Sequence, residues 1–237
     1  MREITTGLWQ IDEIGDSVHC FLWEWRDGVT LIDTGYPGSA EAILIALRAK
    51  GYADHNLRRI IITHADLDHT GSVAQLKQAT GAKVACHVVE KPFLEYPRRR
   101  RAGSWLLQPL LWLLTFFPGF SPRAITPDEL LVDGQTLPEG FTVVHTPGHT
   151  PGHIALLHKE NRFLISGDAL VNTHNRLRPN TSLFTTDREN AQRSIWRLAK
   201  KHADDFEIIV FGHGPPILQN GGKRIKALAS RIFSTEV

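Results

Sequence analysis

The stretch Thr63-His64-Ala65-Asp66-Leu67-Asp68-His69 constrains this chain more than any other. It follows Arg58 to Thr63, whose consecutive Ile60, Ile61 and Ile62 read as a buried strand. It precedes a helix predicted to open near Thr70 and to end before Gly81. Carboxylates at the exit of an apolar strand cost free energy unless a positive charge compensates them. In an extended loop, residues i and i+2 project to one side, so His64, Asp66 and Asp68 face one pocket. His69 turns away as the helix begins, toward a neighbouring position.

Three more chemistry-bearing residues sit where strands stop. His149 lies in Thr146-Pro147-Gly148-His149, after a strand predicted at 141–145. Asp168 follows Ile165-Ser166-Gly167, and His213 follows a strand predicted at 207–211. Further strands are predicted at 17–23, 29–33, 82–88, 153–158 and 162–166. Helices are predicted at 39–50, at 187–201 and from about 221. Strands alternating with helices imply a layered α/β architecture, in which strand ends converge on one rim.

At this point the chain resembles the metallo-β-lactamase superfamily. The matching elements are Leu31-Ile32-Asp33-Thr34-Gly35, the Thr63-His64 to Asp68-His69 loop, Thr146-Pro147-Gly148-His149, Ser166-Gly167-Asp168 and Gly212-His213-Gly214. They occur in the family's order and span nearly the whole chain. The resemblance implies a four-layer αββα sandwich of two mixed β-sheets flanked by helices, formed as a single domain over 1–237.

It also implies a site with two divalent metal ions. His64, Asp66 and His149 would hold one ion, and Asp68, His69 and His213 the other. Asp168 would bridge them, and Asp33 would support the metal loops by hydrogen bonding. Asp68 would be the catalytic residue, orienting a water made acidic by the ions. The family pattern is H-x-H-x-D-H, and Asp66 stands here where the second histidine is usual. Two dications, three carboxylates and a bridging hydroxide leave no net charge, which suits a buried site. Zinc ranks first, and the extra carboxylate brings manganese or iron into range. A single ion on His64, His149 and Asp168, with Asp66 only orienting, is the alternative.

The implied activity is hydrolysis of a small ester, thioester or lactone with an apolar portion. The alternatives are a mononuclear iron oxygenase, a phosphodiesterase and a non-enzymatic scaffold. His174 and Arg176, which follow Asp168, are candidates for contacting an anionic group of the substrate. His153 and His158 fall on a predicted strand and read as packed or exposed rather than as ligands.

Composition sets the outer limits. The net charge of +2 over 237 residues does not predict a nucleic-acid binder. Arg98 to Arg101 read as a solvated face. The apolar run Ser104 to Pro118 is short for a membrane span and is broken by Pro109. Within an insertion at about 91–125, it reads first as a lid or homodimer contact and next as a wall of a substrate pocket. Peripheral membrane contact through 98–118 ranks last. Cys20 and Cys86 form no C-x-x-C pair and read as small buried hydrophobes, and Met1 to Thr5 lack an apolar signal core. Together these two features point to the cytoplasm.

Overall fold

The computed structural model describes residues 1–100, 109, 113, 123–180 and 184–234. The chain divides into two compact units, Met1–Leu131 and Val132–Val237.

The first unit carries a seven-stranded mixed sheet in the order β1-β2-β3-β4-β5-β6-β7. The strands are β1 (Arg2–Thr5), β2 (Leu8–Gln10), β3 (Phe21–Trp25), β4 (Gly28–Ile32), β5 (Leu57–Ile62), β6 (Lys83–His87) and β7 (Glu129–Leu131). The first four pair antiparallel, and β4 to β7 pair parallel. Parallel neighbours need crossovers, and helices supply them. Helix α1 (Ala40–Ala49) joins β4 to β5. Two short helices, α2 (Leu67–Thr70) and α3 (Val73–Thr80), join β5 to β6, and α4 (Lys91–Glu95) follows β6.

Ile60, Ile61 and Ile62 are fully buried, as a strand covered on both faces requires. Helix α1 turns Ile43, Leu44 and Leu47 onto the same core as Ile60 and Ile62. Because β4 and β5 run parallel in the register Ile32 to Ile61, their exits lie side by side. That register brings Asp33 next to Thr63.

The second unit carries a four-stranded mixed sheet in the order β13-β10-β9-β8 and a separate two-stranded hairpin. Its strands are β8 (Phe141–His145), β9 (Ile154–His158), β10 (Phe163–Ile165), β11 (Leu170–Thr173), β12 (Arg176–Pro179) and β13 (Ile208–Val210). Helices α5 (Arg188–His202) and α6 (Gly221–Ser234) cover it. Ile195 and Leu198 from α5 meet Ile225 and Leu228 from α6 in one core with Leu157, Leu164 and Ile209. Strand β9 is antiparallel to both β8 and β10, and β10 is parallel to β13. The C-terminal ends of β8, β10 and β13 and the start of β9 therefore share one edge. His149, His153, Asp168 and His213 all follow or precede those ends.

Most predicted elements lie within a residue or two of the observed ones. Three differ more. The strand predicted at 17–23 begins only at Phe21. The helix predicted from Thr70 is two helices, broken at Gly71-Ser72. Strands β1, β2, β7, β11 and β12 had no prediction. The apolar run 104–118 falls outside the described residues apart from positions 109 and 113. Among the described residues, no helix is long and apolar enough to cross a membrane.

Candidate metal centre

In the first unit, Asp33 organises the site loop. It sits at φ 61, in left-handed backbone that aspartate tolerates better than most residues. Its Oδ1 accepts the Thr63 backbone N–H at 2.8 Å. Its Oδ2 accepts the Thr63 hydroxyl at 2.7 Å and faces His69 Nδ1 at 2.8 Å. The Thr63 hydroxyl has one hydrogen and gives it to Asp33. Toward His64 Nδ1, 3.0 Å away, it can only accept. Both imidazoles therefore carry hydrogen on Nδ1 in their neutral form and present a bare Nε2 lone pair. The Ala65 N–H donates to the buried carboxylate of Glu90 at 2.8 Å, which pins the loop from the other side.

His64 and His69 are fully buried, with ring centroids 4.0 Å apart. Asp66 Oδ2 lies 3.7 Å from His64 Nε2, and Asp68 Oδ2 lies 3.8 Å from His69 Nε2. Both separations are too long for hydrogen bonds. They match two donors of one ion, since metal–ligand bonds of ~2.0–2.2 Å hold adjacent donor atoms roughly 3–4 Å apart.

The second unit repeats this chemistry with different parts. His149 Nδ1 faces Thr185 Oγ1 at 3.3 Å, and the Thr185 hydroxyl donates to the Asn180 carbonyl at 2.9 Å. His149 is thereby the donor, so in its neutral form the ring lone pair lies on Nε2. Asp168 Oδ2 lies 3.7 Å from His149 Nε2 and 3.3 Å from His213 Nε2. One carboxylate oxygen between two imidazoles of different assignment is the arrangement a bridging ligand needs. Asn180 Nδ2 donates to the same oxygen at 3.0 Å.

Glycine is required at two of these turns. A Cβ on Gly148, at φ 137, would lie 2.2 Å from the Ala191 backbone nitrogen. One on Gly214, at φ 93, would lie 2.1 Å from the Asn172 carbonyl oxygen.

The donor set of each unit fits divalent metal: imidazole nitrogens of fixed tautomer beside carboxylates. Three further residues belong to this machinery and were not read from the sequence. His153 is buried, neither exposed nor simply packed. Its Nε2 accepts the Asp168 backbone N–H at 2.9 Å and its Nδ1 bonds Thr146 Oγ1 at 2.8 Å. Glu90 holds the first loop. Arg100, expected on a solvated face, instead grips Asp66 with Nε on Oδ1 and Nη2 on Oδ2, the latter at 3.0 Å. No local motif marks these partners, because each acts across the fold.

His174 and Arg176 are exposed at the turn of the β11–β12 hairpin. Neither hydrogen-bonds nor ion-pairs with His149, Asp168 or His213. His158 is buried between aromatic rings, stacked on Phe163 and edge-on to Phe141. Cys20 and Cys86 are buried free thiols, as small core residues should be. Burial pushes the Cys86 thiol up to about 12, and burial together with the Asp33 charge raises that of Cys20.

A metal-dependent fold and donor chemistry of this kind define a class, and the comparisons agree with it. The Metallo-beta-lactamase superfamily profile matches residues 14–213, and the chain belongs to that superfamily. Within it the chain is a metallo-hydrolase. It is 30% identical over 222 residues to a probable metallo-hydrolase, YflN, of Bacillus subtilis, covering 86% of this chain and 82% of that one. It is 28% identical over 222 residues to an N-acyl homoserine lactonase of Bacillus sp., covering 83% and 80%. A metallo-beta-lactamase family protein of Thermus thermophilus shares the fold, with a TM-score of 0.72 at 22% identity over 98% of this chain and 81% of that one.

Proposed function

We propose that the donor pairs of the two units serve one dinuclear centre that hydrolyses small lactones and related esters carrying an apolar portion. His64, Asp66 and His149 would hold one ion, Asp68, His69 and His213 the second, and Asp168 would serve both. Zinc is the first choice, with manganese or iron as alternatives. The carrying observation is that His64, His69 and His149 each have Nδ1 committed as a donor, leaving Nε2 for an ion. Each donor pair alone offers fewer ligands than an ion needs, and the family match spans residues of both units. The lactonase relative supports the substrate class.

Bound ions would supply Lewis acidity, acidifying a water and polarising the carbonyl oxygen. The protein does the rest. Asp68 takes the proton of the attacking water and returns it to the leaving alkoxide oxygen, so a lactone opens to a hydroxy acid. Asp33 keeps His69 in the tautomer that leaves its Nε2 open. His153 fixes the backbone that aims Asp168.

Purified protein should carry close to two ions per chain and open lactones faster than it cleaves phosphodiesters. Chelation should abolish turnover, and His149→Ala should lower kcat/KM by ~100-fold or more. Activity that survives complete removal of metal would overturn the reading. So would oxygen consumption with no hydrolysis of any ester, thioester or lactone.

A further inference from the structure

Asp66 stands where the family pattern has a neutral imidazole, and Arg100 contacts both of its carboxylate oxygens. Two parallel N–H···O bonds from one guanidinium form the strongest and most directional carboxylate contact a protein makes. The pair is little exposed, with side-chain accessibilities of 14% for Arg100 and 16% for Asp66, so solvent screens it weakly. The Asp66 backbone is also fixed. Its carbonyl accepts the N–H groups of His69 and Thr70 and the Thr70 hydroxyl.

The contact concerns the very atom an ion would use. Arg100 Nη2 holds Oδ2, and Oδ2 is the oxygen 3.7 Å from His64 Nε2. Guanidinium and metal therefore share one donor atom. The guanidinium also cancels the charge of Asp66, so this position has the formal charge of the histidine it replaces. The neutral total expected from three carboxylates becomes one positive charge once Arg100 is counted.

We infer that Arg100 is a positioning residue that weakens the ion position built on Asp66, so that the two positions fill unequally and this one fills last. The inference rests on the dinuclear reading above. Occupying the Asp66 position requires the carboxylate to share Oδ2 and brings a dication near a little-exposed guanidinium. Arg100 bears on Asp68 as a charge, more weakly than it holds Asp66.

The test is a titration of the metal-free protein with zinc by calorimetry and with cobalt(II) by visible absorption. The native protein should bind in two steps, one tight and one weak. Arg100→Met keeps the bulk, removes the charge, and should tighten the weak step by on the order of tenfold or more while leaving the tight step in place. Arg100→Lys keeps the charge without the fork and should fall between the two. If Arg100→Met does not fold by circular dichroism, Arg100→Gln provides the same comparison. A weak step that is unchanged or weaker in the uncharged variant would overturn the inference, as would two equally tight steps in the native protein. Binding of no ion by either protein would overturn the dinuclear reading and this inference together.

Discussion

The donors of the first unit come from one loop, and those of the second come from three separate turns. The first loop depends on a shared support, because Asp33 bonds both Thr63 and His69, and Thr63 in turn fixes His64. The second unit uses separate supports, Thr185 for His149 and His153 for Asp168. A shared support fails as a whole, whereas separate supports fail one at a time.

Removing Asp33 should therefore have the largest effect. Asp33→Ala strands three buried donors and should destabilise the protein by about 3 kcal/mol or more. It should also weaken metal binding by up to ~100-fold. Urea unfolding and metal titration would measure both, and Asp33→Asn, which accepts the left-handed backbone, should lose less. A mild Asp33→Ala phenotype would break the contrast between the units. His153→Phe should come next. It withdraws the acceptor for the Asp168 N–H and should cost about 1–3 kcal/mol and roughly tenfold in metal affinity. The cobalt(II) spectral contribution of the first loop should stay intact.

The smallest expected effect is a pH dependence confined to the second unit. Burial lowers the pKa of His158 below its ordinary 6.5, despite contacts that oppose the shift. The unfolded chain therefore binds the proton more readily than the folded one. The stability due to neutral His158 is complete above about pH 6.5 and declines as pH falls through that value. Unfolding midpoints from about pH 8 to about pH 5 should fall more steeply for the native protein than for His158→Gln. Parallel curves would show that this histidine does not contribute.

The same contrast explains what the sequence could reveal. The loop from His64 to His69 was legible because its residues are adjacent and follow an unmistakable isoleucine run. His149, Asp168 and His213 were legible through their glycine-flanked turns and the family resemblance. Arg100 was not, because a run of four arginines gives no hint that one of them reaches back to residue 66. His153 was missed because alternation along a strand cannot separate a packed ring from one that holds a neighbouring loop. The β11–β12 hairpin was missed because its turn, His174-Asn175, places two positive-φ residues where Asn-Gly would have announced it.

Residue 33 combines two demands that conflict in most amino acids. The main-chain geometry there would suit glycine, yet glycine has no group to accept the three protons arriving from Thr63 and His69. Glutamate would carry the charge one methylene too far from the strand exit. Few residues besides a short acidic one satisfy both demands, so substitution at this position should be tolerated far less than its small size and distance from solvent would suggest.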